Sequence, residues 1–317
     1  MKKTIIALSV ALASATVPAL VQADDGYPEK NIEFIVPYGP GGGSDTFVRS
    51  IQPALEDALG GTLVVRNISG GGGAVGYSRA VTSRPDGYTV TTPNNANFTL
   101  EGLGNVGFSY NDFEYIARVT VMPYVLAVRD NDQWTDFESL KEDLQASGDK
   151  LSVGFSGVGS STHVTSVALG RELGMDFQFI PFDGGSAAVS AAMGGHVDAV
   201  VLNPSEIMSA VESGKLTAIV STGGERSSAM PEVPTMKELG FDMELNQWRG
   251  IAAPKGLDPA IEEQWVTAIK KAVQDPQFRQ AAKNGGTDIK PLYGDELDAF
   301  IKDNAELMIP IAESVKQ

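Results

Sequence analysis

The 317-residue chain has no cysteine and only two histidines, His163 and His196. The first absence removes disulfides, thiolate nucleophiles and thiolate metal ligands together. The second leaves no histidine pair to hold a metal, so no metal site is expected. Positive charge is also scarce. Lysine and arginine number 24 against 40 acids, a formal charge of −16, which argues against nucleic acid or an anionic membrane surface as partner. Beyond the N-terminus no apolar run approaches the ~20 residues of a membrane span. Stability must come from burial alone, and a chain of this length is expected to divide it between two lobes.

The one long apolar run opens the chain: Lys2 and Lys3, then Ile5 to Val21, then the small residue Ala23. This order reads as a secretory signal peptide over residues 1–23, cleaved near Ala23. A spanning helix fits less well, because Ser9, Ser14, Thr16 and Pro18 interrupt the run and Asp24 and Asp25 follow it. Loss of the two leader lysines takes the formal charge from −16 to −18. The mature protein is expected to be soluble, exported to the periplasm and monomeric, without direct membrane insertion.

Short β-branched runs alternate with longer helical patterns. Ile32–Val36, Leu63–Val65, Tyr88–Thr92, Leu151–Phe155, Ala199–Leu202 and Leu216–Ser221 read as strands, so the class is α/β with largely parallel strands. Phe47, Ile51, Leu55 and Leu59, spaced by four, form the stripe of a helix against a sheet. Further helices are expected near Ser161, over Gly185–Met193, Pro204–Val211 and Pro259–Val273, and from Gly294 until Pro310 kinks or ends it. No repeat of fixed period is present.

Three glycine-rich segments follow strands: Gly39–Ser44, Gly70–Gly76 and Ser156–Thr162. Glycine allows positive φ and close approach to backbone amides, and a helix starting beyond the turn aims unpaired N–H groups and about half a positive charge at one point. Such turns are anion cradles in outline. Gly71-x-Gly73-x-x-Gly76 matches a dinucleotide fingerprint, but the ribose-binding acid about 20 residues on is missing, since that stretch reads TTPNNA. The first loop lacks the Gly-Lys-Ser/Thr of a nucleotide-binding P-loop. Ser160 and His163 offer an exported serine hydrolase as the alternative, although GFSGV departs from G-x-S-x-G at Val158. Acid pairs such as Glu262-Glu263 read as solvated or helix-start charges.

Eight blocks in order, YPEKNIEFIVPYGPGGGSDTFVR, VVRNISGGGGAVG, RPDGYTV, GFSGVGSSTH, IPFDGG, GGHVDAV, SGKLTAI and MPEVPTMKELGF, resemble the substrate-binding proteins of tripartite tricarboxylate transporters, the Bug family. The resemblance spans Tyr27 to about Pro291. It implies a periplasmic-binding-protein type II fold: two lobes, each a mixed, mostly parallel sheet flanked by helices, joined by two crossing segments around a cleft. Residues 24–123 with 251–317 would form lobe 1, and 124–250 lobe 2. It further implies a non-enzymatic protein without cofactors, which closes on a small carboxylate and delivers it to a membrane permease of one large and one small subunit. A ligand-binding subunit reporting to a sensor kinase is the variant that sequence does not separate.

Carried over by position, Tyr38, Gly41, Gly42, Gly43, Ser44 and Asp45 match the family's first cleft loop, and Ser156, Gly159, Ser160, Ser161 and Thr162 the opposing one. Asn94 and Asn95 offer amides to the same cleft. Asp183 stands where the family more often has lysine, which leaves its contact open. Tyr38, Asn95, Phe182 and Trp248 are the candidate walls that set ligand length. Arg249 is read either as partner of a distal carboxylate or as a surface or hinge ion pair. Because these loops hold few basic residues, neutral backbone and hydroxyl donors are expected to carry the binding, with Gly42 as the point of closest amide approach.

Overall fold

A computed structural model describes residues 26–131, 133–227 and 229–315; the expected leader, 1–23, lies outside them. The first lobe opens with β1 (Ile32–Val36), α1 (Gly43–Leu59), β2 (Leu63–Asn67), α2 (Ala74–Val81), β3 (Thr89–Thr91), α3 (Ala96–Leu103) and the long strand β4 (Phe113–Pro123). The second lobe contains β5 (Val125–Arg129), α4 (Phe137–Ser147), β6 (Leu151–Phe155), α5 (Ser161–Leu173), β7 (Phe177–Pro181), α6 (Gly185–Met193), β8 (Ala199–Leu202), α7 (Pro204–Glu212) and β9 (Leu216–Ser221). The chain then returns through β10 (Asn246–Pro254), α8 (Pro259–Ala272), α9 (Pro276–Asn284), β11 (Asp288–Leu292) and α10 (Gly294–Val315).

The strands form two sheets, in the orders β11-β4-β10-β3-β1-β2 and β7-β6-β8-β5-β9. Both are mixed. β1 runs parallel to β2 and β3, while β10 is antiparallel to β3 and β4. β6 runs parallel to β7 and β8, while β5 is antiparallel to β8 and β9. In α1, Phe47, Ile51 and Leu55 are buried against the first sheet as their spacing predicts, and Leu59 is half-buried. Burying each of those three side chains contributes about 1.5–3 kcal/mol, and that packing holds the N-terminus of α1 in place.

A single residue, Tyr124, separates β4 of one sheet from β5 of the other. Its N–H donates to Thr222 Oγ1 (3.0 Å), and the Thr222 hydroxyl donates to the Leu245 carbonyl (2.6 Å). The outward and return crossings therefore lie side by side. Asn246 pairs with Pro123 and Trp248 with Val121, so a division at 250/251 falls inside β10, and residues 246–250 run in the first sheet.

Pro310 does not end α10, which continues to Val315. Proline removes one N–H bond, but this helix is held from outside. Met308 and Ala312 are buried, and Gly102 of α3 lets α10 come so close that a Cβ there would sit 2.8 Å from both Ala312 Cβ and the Ile309 carbonyl oxygen.

Candidate functional site

In sheets of this kind, ligand sites form beyond the carboxyl ends of the parallel strands. Here the turns β1/α1 and β3/α3 of one lobe face β6/α5, β7/α6 and β8/α7 of the other. They enclose a tight cavity of about 20 Å³. Gly42, Gly43 and Ser44 bring the N-terminus of α1 to it, Ser160, Ser161 and Thr162 that of α5, Gly185 that of α6, and Asn203 with Glu206 that of α7. Four helix starts, each equivalent to about half a positive charge, converge on one point.

The local sequence explains each start. Ser160 caps α5 by accepting the His163 N–H (3.2 Å), and it shares a hydrogen bond with Thr162 Oγ1 (2.9 Å), which in turn accepts the Ser156 N–H (3.0 Å). Such a cap contributes about 1 kcal/mol. In α7 the run Asn203-Pro204-Ser205-Glu206 makes a capping box with proline in the first turn.

Two charged side chains line the cavity, Arg249 and Glu206. Arg249, on β10, is 3% exposed, and its Nη2 donates to Asn203 Oδ1 (3.0 Å) while Nη1 lies against Met122 Sδ. Among the described residues no carboxylate comes within ion-pair distance of it. Burial pulls its pKa down, and the Glu206 charge opposes that shift. Glu206 reaches across the cleft. Its Oε1 accepts the Gly43 N–H of the other lobe (3.1 Å), and Oε2 accepts the Asn203 N–H (3.2 Å). The cradle thus already seats one carboxylate, the protein's own.

Of the residues expected from sequence, Tyr38, Gly42, Gly43, Ser44, Asn94, Ser156, Ser160, Ser161 and Thr162 line the cavity. The others lie elsewhere, for identifiable reasons. Asp45 is buried but turned back, accepting Gly41 N–H (2.9 Å), Arg49 Nε (2.9 Å) and Asn67 Nδ2 (3.0 Å). Burial works against its charged form, yet these bonds outweigh it and hold the carboxyl below its usual range. Gly41, at φ +78°, and Asp45 therefore shape the loop instead of facing the cavity. Asn95 spends its amide on Tyr124 Oη (3.1 Å) and the Asn246 carbonyl (2.9 Å). Gly159 accepts the Thr99 hydroxyl (2.8 Å) across the lobes. Phe182 is half-buried against Gly154, and Trp248 is core, packed among Phe98, Tyr115 and Phe300. Asp183 is exposed at the rim and accepts from Ser69 Oγ (3.2 Å).

Sequence reasoning did not place Gly185, Asn203, Glu206 or Gln247 in the site. The Asn-x-x-Glu capping box was a visible signal for two of them. Gln247 bridges the lobes, donating to Ser161 Oγ (2.9 Å) and accepting from Tyr124 Oη (2.9 Å). Within this loop the close approach is at Gly43, not Gly42. A Cβ at Gly42 would meet nothing nearer than 3.5 Å, whereas one at Gly43 would lie 2.2 Å from Arg249 Nη2.

Ser160 and His163 are not arranged for nucleophilic catalysis. The His163 ring stacks on Phe155, with centroids 4.6 Å apart, and its Nδ1 accepts the Gly159 N–H (3.3 Å). Among the described residues no imidazole nitrogen bonds Ser160 Oγ, so no base is placed to take its proton.

The sequence pattern of the tripartite tricarboxylate transporter family receptor matches residues 47–316. The chain belongs to that family. A "UPF0065 protein in gbd 5'region" of Cupriavidus necator is 31% identical over 91% of this chain and 88% of its own length. Protein BugT of Bordetella pertussis is 29% identical over 96% and 95%. Among solved structures, periplasmic binding protein BugD superposes with a TM-score of 0.86 at 27% identity, covering 91% of this chain and 98% of that one. This receptor is therefore a solute-binding protein of the two-lobed periplasmic type, not a member of an enzyme family. The neutral-donor expectation is incomplete for its cleft, because Arg249 lies in it.

Proposed function

We propose that the protein captures a small organic carboxylate between its lobes in the periplasm and, as a monomer, delivers it to a permease of one large and one small subunit. The observation that carries the reading is Arg249, a buried guanidinium in the inter-lobe cavity with no carboxylate partner among the described residues. A buried unpaired charge is costly, and a ligand carboxylate relieves it. Four helix starts and the hydroxyls of Ser44, Ser156, Ser160 and Ser161 supply the remaining donors. Charge-assisted hydrogen bonds contribute roughly 1.5–3 kcal/mol each. The surface charge opposes capture only weakly, since salt screens it over about 8 Å.

A thermal-shift panel of mono-, di- and tricarboxylates, amino acids and esters tests this. At ligand 100 times its Kd, stabilisation is ~2.7 kcal/mol, and at ~2–4 °C per kcal/mol the Tm of the carboxylate complex rises by roughly 5–10 °C. A panel in which no carboxylate shifts the Tm, while an ester is turned over, reverses the assignment.

Glu206 sets a limit on the ligand's charge. Two unit charges ~5 Å apart at an effective dielectric near 20 repel by ~3 kcal/mol. Glu206→Gln is therefore expected to bind di- and tricarboxylates about tenfold more tightly, a change of ~1.4 kcal/mol, as read by calorimetry. Weaker binding of the same ligands in this variant would mean that Glu206 holds a ligand donor.

A further inference from the structure

Beside the cleft, and sharing Gly43 and Arg249 with it, lies a second inter-lobe cavity of about 290 Å³. Phe47 of α1 and Phe278 and Ala281 of α9 form its wall on the first lobe, and Ser205 and Met208 of α7 its wall on the second. The two cavities differ in chemistry. The cleft is ringed by hydroxyls, amides and helix starts, whereas the second cavity is walled mostly by carbon.

Three of the residues lining this cavity nevertheless carry a buried polar atom without a hydrogen-bond partner: Arg249 Nε, Thr120 Oγ1 and Ser205 Oγ. Thr120 is 1% exposed and Arg249 3%. Buried polar groups in native proteins are almost always paired, and each orphan calls for a reason. Here the orphans comprise one cationic N–H and two hydroxyls, a set that suits a carboxylate oxygen. The other guanidinium nitrogens are engaged with Asn203 and Met122, so Nε is the guanidinium nitrogen without a partner.

We propose that this cavity is a second binding site, for a small monocarboxylate with an apolar body. Its carboxylate lies on Arg249 Nε, Thr120 and Ser205, and its body lies between Phe47, Phe278 and Met208. The volume is about twice the ~150 Å³ in which an apolar cavity holds benzene, which suits an aromatic or medium-chain acid. A dicarboxylate is excluded, because its second charge would be buried against carbon or pushed toward Glu212 at the exposed mouth.

Benzoate and octanoate are the probes, titrated into the protein by calorimetry and followed by NMR of ¹³C-methyl methionine. The expected result is saturable binding that shifts the Met208 methyl and leaves the exposed Met193 unmoved. Ala281 is exposed at the cavity edge of α9, so Ala281→Trp fills the cavity from its rim. That variant is expected to weaken the probes about tenfold or more while leaving the cleft carboxylate's affinity unchanged. Thr120→Val removes an orphan hydroxyl without touching the rim. A hydroxyl that only fills space would change Tm alone, whereas a head-group partner weakens benzoate several-fold. No Met208 shift at saturating probe, or probe affinity unchanged in both variants, overturns the proposal.

Discussion

Arg249→Met is expected to lose carboxylate binding by a factor of at least about 100, without any fall in the Tm of the ligand-free protein. The two halves of this result have separate causes. Arg249 is the one cation lining the cavity among the described residues, and losing two charge-assisted bonds at roughly 1.5–3 kcal/mol each removes about two to four decades of affinity at ~1.4 kcal/mol per decade. Methionine has similar length, no charge and an adaptable thioether, and it replaces a buried guanidinium that lacks an ion-pair partner. Exchanging poorly paired buried charge for hydrocarbon is often neutral or stabilising, by ~1–4 kcal/mol. Glu206 keeps its donors, the Gly43 and Asn203 amides. Arg249→Lys should recover part of the affinity, since it restores the charge but not the planar fork. Calorimetry and a melting curve on the three proteins decide it. Wild-type affinity in the methionine variant would remove Arg249 from the site.

The cleft loops were legible because their signals are local. A β-branched run, a glycine turn and a helix stripe sit within about 20 residues at Ile32–Leu55 and again at Leu151–Val167, and each segment takes its form from its own residues. What sequence hid was the long strand β10. Asn-Gln-Trp-Arg-Gly at its start reads as loop, since polar residues break the apolar run. Its polar side chains Gln247 and Arg249 are buried because they face the other lobe, a circumstance fixed only by the tertiary fold. β4 was obscured in the same way by Glu114 and Arg118, and β11 by Pro291, which an edge strand tolerates. Glu206 is the sharpest case. Its capping box announces a helix start, and nothing local says that the same carboxylate spans the cleft to Gly43. Trp248 errs in the opposite direction: it was expected as a wall of the cleft, but alternation along a strand sends Trp248 and Arg249 to opposite faces, one to the core and one to the cleft.

Closure itself is tested at Gly72. This residue stands at φ +66° in the first lobe's second glycine turn, and a Cβ there would lie 2.4 Å from the Val158 carbonyl oxygen, 2.5 Å from the Ser160 amide nitrogen and 3.0 Å from Gly159 C, all backbone of the opposing loop. That loop has little freedom to yield, because Ser160 caps α5 and the Ser156, Thr162 and Ser160 side chains lock it together. Separation of the lobes is the cheapest relief. Gly72→Ala is accordingly expected to fold, to stay open, and to bind the cleft carboxylate about 100-fold or more weakly, a penalty of ~2.7 kcal/mol or more. Small-angle scattering should show the wild type contracting when ligand is added and the variant unchanged. Gly60→Ala is the control. Gly60 has nearly the same backbone, φ +70°, but a Cβ there would meet nothing within 4 Å, so it carries the same left-handed penalty of ~1–2 kcal/mol without the contact across the cleft. Equal loss of binding in both variants would trace the effect to backbone strain and refute a closure contact at Gly72. Loss confined to Gly72→Ala ties ligand capture to the meeting of the two glycine loops.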